Sequence, residues 1–134
     1  MVAVGLSYLA TGAAFLALDA VWLGTMGSRL YRPLLGSLLR DGFALAPAMV
    51  FYFLYVAGIV FFAVQPAVTA GKWSTALVHG LLFGLMAYGT YDLTNHATLR
   101  DWPLAVTVVD MAWGSFATAM AATAGYLVVS RWLS

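Results

Sequence analysis

Four runs of apolar residues, approximately Val4 to Met26, Ala44 to Val64, Trp73 to Thr98 and Pro103 to Val129, dominate the chain. Crossing about 30 Å of hydrocarbon at about 1.5 Å per residue takes roughly 20 residues, and each run is long enough. Lipid offers no partner for backbone N–H and C=O groups, so such segments satisfy them internally, as helices. The reading is an all-α integral membrane protein, with residues 1–134 forming one domain, a bundle of four transmembrane helices. A hydrophobic content of 63% against 8% charged residues places the chain outside the soluble class. With a net charge of +1 there is no basic surface for nucleic acid, and with no cysteine there is no disulfide, thiolate nucleophile or Cys-ligated metal.

The links order the spans. The N-terminal run lacks the basic n-region of a secretory signal and is too long for a cleaved one, so it reads as a retained first span. In the first link Leu30, Leu34, Leu35 and Leu38 fall on one helical face, and Arg29, Arg32, Gly36 and Arg40 on another. That pattern predicts a short interfacial amphipathic helix between the first and second spans, with Pro33 near its start. The links QPAVTAGK and LRD are short, which makes the last three spans antiparallel neighbours. Arg29, Arg32, Arg40 and Arg100 lie in the first and third links, against Lys72 and Arg131 on the other side, so both termini are expected outside. Trp73, Trp102 and Trp132 near span ends read as interface anchors. The tripeptide Leu-Arg-Asp recurs at Leu39 to Asp41 and Leu99 to Asp101, a weak hint of duplicated hairpins.

All five acids are Asp, and Asp19, Asp92 and Asp110 lie inside apolar runs. Each is about six to eight residues from the cytoplasmic end of its run, roughly 9 to 12 Å, so the three share one depth. An Asp at the middle of a span costs about 2.5 to 3.5 kcal/mol on insertion scales, which favours a common polar centre over three separate burials. The alternative is structural glue, each acid fixing helix register through a neighbour. Asp92 has Tyr88, Asn95 and His96 on its own helical face, and its loss is expected to leave Asn95 and His96 without a partner and so unfold the bundle. Asp19 with Trp22 and Asp110 with Trp113 repeat the pattern D-x-x-W. At this spacing each indole lies beside its acid, able to bond an acid across the bundle or to wall a cation or flat ligand. Tyr52, like Tyr88, is placed to bond the buried acids.

His79 and His96 are roughly 25 Å apart along one helix and do not share a ligand. An Asp92 and His96 metal site lacks the Glu-x-x-His spacing of ferritin-like bundles, so no metal and no cofactor are expected. No HExxH, GxSxG, P-loop or Rossmann fingerprint occurs. Small residues in two rows, Gly114, Thr118, Ala122 and Ala117, Ala121, Gly125, suit close helix packing.

The run Tyr88 to Gly114, YGTYDLTNHATLRDWPLAVTVVDMAWG, with DAVWLG at Asp19 to Gly24 and the Tyr31, Arg32 pair, resembles an uncharacterised family of small bacterial predicted membrane proteins, the DUF2177 type. The resemblance implies a compact four-span protein of the bacterial inner membrane and supplies no reaction, ligand or catalytic residue. Three readings stay open. The first is a carboxylate site near the cytoplasmic leaflet that binds or transports a proton, a cation or a small amphipathic solute, in a homodimer if it transports. The second is an accessory subunit of a larger membrane complex, docked through lipid-facing small-residue rows. The third is a membrane-embedded enzyme acting on a lipid or isoprenoid with Asp92 and His96 as acid and base.

Overall fold

The computed structural model describes residues 2–38 and 44–133; the Leu39 to Asp41 half of the repeated tripeptide and Arg40 lie outside the described residues. The described residues are helical, with no strand among them. In chain order the helices are α1 (Val2–Met26), α2 (Arg32–Leu35), α3 (Leu45–Ile59), α4 (Gln65–Ala70), α5 (Trp73–Thr98) and α6 (Leu104–Leu133). Two π-helical turns, Gly27–Tyr31 and Val60–Val64, fuse α1 to α2 and α3 to α4, so four long helical rods result. Three of these, Val2–Leu35, Leu45–Ala70 and Leu104–Trp132, are long and apolar enough to cross a membrane. The fourth, α5, has 26 residues and so the length, but its polar residues hold its hydropathy below theirs.

Each π turn ends two residues before a proline, Pro33 and Pro66. Proline donates no N–H and its ring crowds the carbonyl four residues back, so a regular helix kinks there. Widening the preceding turn absorbs the defect: the Arg32 N–H reaches the Gly27 carbonyl and the Gln65 N–H the Val60 carbonyl, each five residues back. Two expectations change as a result. The first link does not form a separate amphipathic helix over its described residues but continues α1 and ends in a 3₁₀ turn, Gly36–Leu38. Along it Arg29 and Arg32 are exposed as expected, but Leu35 is the buried leucine while Leu34 and Leu38 face outward. The second link shrinks to Gly71 and Lys72, with Gly71 at φ 69° closing α4 through its N–H to the Ala67 carbonyl.

The rods alternate in direction. α5 and α6 pack most extensively, and α1 lies along α6. The reason is a GxxxG pair, Gly80 and Gly84, against the row Gly114, Thr118 and Ala122: a Cβ on Gly84 would stand 2.5 Å from the Gly114 carbonyl oxygen. The Ser115 hydroxyl adds a bond of 2.7 Å to the Leu81 carbonyl. Both small-residue rows of α6 are consumed inside the chain, since Ala117, Thr118, Ala121 and Ala122 have no exposed surface. They are not lipid-facing, and the docking surface that an accessory subunit was expected to offer through them is absent. The core joins Phe15 of α1, Tyr55 and Ile59 of α3, Ala63 and Val64 of the second π turn, and these α6 alanines. Outward positions such as Leu9, Leu16, Leu54, Phe61 and Val108 are apolar, as a hydrocarbon surround requires.

Candidate functional site

The polar residues concentrate at the end of the bundle where α1 runs into α2 and α5 turns into α6. There α1 and α6 run antiparallel with their D-x-x-W patterns opposed, and the Trp22 and Trp113 rings stack with centroids 4.4 Å apart and planes within 6°. Stacking two indoles at i+3 from their acids brings Asp19 and Asp110 into one region. Each acid then meets groups from the opposite side of the stack. The Trp113 indole acts on the Asp19 carboxyl. The Trp22 N–H donates to the Tyr31 hydroxyl at 2.9 Å, and Tyr31 donates to Asp110 Oδ1 at 2.5 Å.

Asp110 is the hub. It is 9% exposed, and its charge reaches Asp19, Asp92, Tyr31, Tyr88 and Tyr91. Asp92, the centre expected from the sequence, stands beside it with no exposed surface, bonded to the Asp110 carboxyl and to no other side chain among the described residues. Asp19 and Asp92 therefore gather around Asp110. Among the described residues, no Arg or Lys is one of the groups acting on Asp19 or Asp92.

A cavity of about 980 Å³ opens against this cluster. Asp19, Trp22 and Tyr31 line it from the first rod, Tyr88 and Tyr91 from α5, and Asp110 and Trp113 from α6, with Arg32 at one edge. Trp102, expected as an interface anchor, is instead buried with Leu35 and Val106 in a small cluster that forms part of the cavity wall. A second cavity of about 310 Å³ lies on the α3 side, and Tyr88, Tyr91 and Asp110 line both.

Several expected members lie elsewhere. The His96 ring pairs through Nδ1 with the Thr107 hydroxyl at 3.1 Å, and Thr107 also accepts the Trp102 indole N–H at 3.0 Å, a clasp across the turn from α5 to α6. Among the described residues His96 makes this bond and none to Asp92. The Asn95 side chain makes no hydrogen bond to the aspartates among the described residues; its backbone carbonyl accepts the Leu99 N–H that closes α5. Tyr52 donates to the Gly12 carbonyl of α1, tying α3 to α1 rather than bonding an acid. His79 pairs with the Phe62 carbonyl at 3.1 Å. No group of three metal-ligating side chains occurs among the described residues.

Tyr31 and Tyr91 are site residues that sequence reasoning missed, and Tyr31 has the plainer cause. Trp22 and Tyr31 are nine residues apart, about two and a half turns of regular helix, which puts them on opposite faces. The π turn at Gly27–Tyr31 takes up part of that rotation and swings Tyr31 back toward Trp22. The one signal in the sequence was Pro33, two residues on.

A family model described as a predicted membrane protein, DUF2177, matches residues 4–127. The chain belongs to the DUF2177 family. Membership places this DUF2177 protein in a lipid bilayer and leaves its function open. No curated protein and no solved structure matches it.

Proposed function

We propose that this DUF2177 protein is a four-span solute-binding or transport protein of the bacterial inner membrane, and that Asp19, Asp92 and Asp110 form a site for a positively charged solute. The observation that carries the reading is the set of acids at a large cavity: Asp19 and Asp110 line it, and Asp92, with no exposed surface, stands bonded to Asp110 behind it, with no Arg or Lys among the groups acting on Asp19 or Asp92. Acids used as glue are tied to donors or bases on neighbouring helices, because an uncompensated buried acid destabilises a fold. Acids that meet one another at a cavity, with no base beside them, mark a functional arrangement within a membrane.

The experiment is intrinsic tryptophan emission of the purified protein during titration with monovalent cations, from potassium through ammonium to large tetraalkylammonium and tetraaryl ions. Trp22 and Trp113 stand in the cavity wall, so occupancy alters their emission. At least one cation should change it in the wild type and not in Asp110→Asn. An identical response in the variant, or none from any cation, contradicts the reading.

In this arrangement α5 spans the bilayer with the cavity at the cytoplasmic end, beside the exposed Arg29, Arg32 and Arg100. Ala70→Cys should be labelled by an impermeant thiol reagent from outside and Leu99→Cys only after the membrane is opened. Labelling of both from outside would remove α5 as a span and reject the orientation.

A further inference from the structure

We infer that the solute is a monovalent organic cation with a bulky apolar or aromatic body, a deepening that rests on the cation-site reading above. Size is the first argument. A cavity of about 980 Å³ is far larger than an inorganic ion and matches the upper range of drug-sized ligand pockets. The wall is the second. Trp22, Trp113, Tyr31, Tyr88 and Tyr91 present aromatic surface around Asp19 and Asp110, and aromatic faces attract a poorly hydrated organic cation while giving no advantage to a strongly hydrated inorganic one. The donor set is the third. A divalent metal needs several converging ligands, and no group of three side chains meets that need among the described residues. The acids that meet the solute are Asp19 and Asp110 in the wall, with the buried Asp92 bonded to Asp110 behind it. Arg32 stands at the cavity edge and is not among the groups acting on Asp19 or Asp92.

Radiolabelled tetraphenylphosphonium binding to the full-length protein in detergent tests the assignment, with potassium, tetramethylammonium and neutral triphenylphosphine oxide as competitors. Saturable binding is expected in the wild type. It should fall on the order of a hundredfold in Asp110→Asn, where the charge partner is gone. In Trp113→Leu it should fall about tenfold, and in Trp113→Phe, which keeps an aromatic face and guards against misfolding, by less. None of the three competitors should displace the probe at equal concentration. Displacement by the neutral oxide, or unchanged binding in both Trp113 variants, overturns the organic-cation assignment. If a small cation binds in an Asp110-dependent manner and tetraphenylphosphonium does not, this assignment fails while the cation-site reading stands. If no cation binds in an Asp110-dependent manner, both fail.

Discussion

Gly84→Leu should leave no monodisperse protein in detergent extracts of the membrane fraction. The position sits where α5 and α6 approach most closely, and even a Cβ there would meet the Gly114 carbonyl oxygen at 2.5 Å and the Thr118 side chain at 2.8 Å. Neither the backbone oxygen nor Thr118, whose hydroxyl is held by Tyr55 at 2.7 Å, has room to yield. Overpacking a core costs about 1 to 3 kcal/mol in ordinary cases and more where backbone is in the way, against a total stability of about 5 to 15 kcal/mol. Gly84→Ala, with a single added carbon, should fold with reduced yield and melt well below the wild type. Size-exclusion profiles of the two variants check the order; a wild-type profile for Gly84→Leu would mean that the helices pack through another face.

Asp92→Val should melt at a higher temperature than the wild type and bind no cation. The side chain has no exposed surface, and among the described residues the group it bonds is another acid, Asp110. A buried polar group without a full partner costs about 1 to 3 kcal/mol, and an apolar residue of similar volume returns that stability. The expectation drawn from the sequence, that losing Asp92 would strand Asn95 and His96 and unfold the bundle, is reversed. His96 already has Thr107, and the Asn95 side chain makes no hydrogen bond to the acid among the described residues. Activity lost with stability gained is the pattern of a group held strained for function. A fall in melting temperature would instead mark Asp92 as a structural bond.

How far the sequence could be read depended on whether a feature is local to one helix. The limits of α5, Trp73 to Thr98, followed from Lys72 and from Leu99 with its charged neighbours, and the i, i+3 geometry of D-x-x-W on each helix was local too. Which partner a side chain takes across the bundle is not local. Tyr52 and His96 both had an acid within plausible reach, but the nearer acceptors were the Gly12 carbonyl and the Thr107 hydroxyl. The π turns were illegible for another reason. Inserting part of a residue into a helical turn rotates everything beyond it, so the leucine phase of the first link, and with it Tyr31, came out on a different face from the one a constant 3.6-residue period gives. The GxxxG pair Gly80 and Gly84 is local to α5 and so was legible, whereas the row it packs against lies on another helix.

The account stands on the aspartates being a binding site and not a set of helix ties, and thermal melting with and without ligand separates the two. The wild type and Asp110→Asn would be melted in detergent, alone and at about one hundred times the dissociation constant of the tightest cation. Ligand linkage predicts a stabilisation of about 2.7 kcal/mol in the wild type. Asp110→Asn should stay folded and show no shift. A wild type whose melting ignores the cation, beside an Asp110→Asn protein that melts several degrees lower under both conditions, would contradict the account.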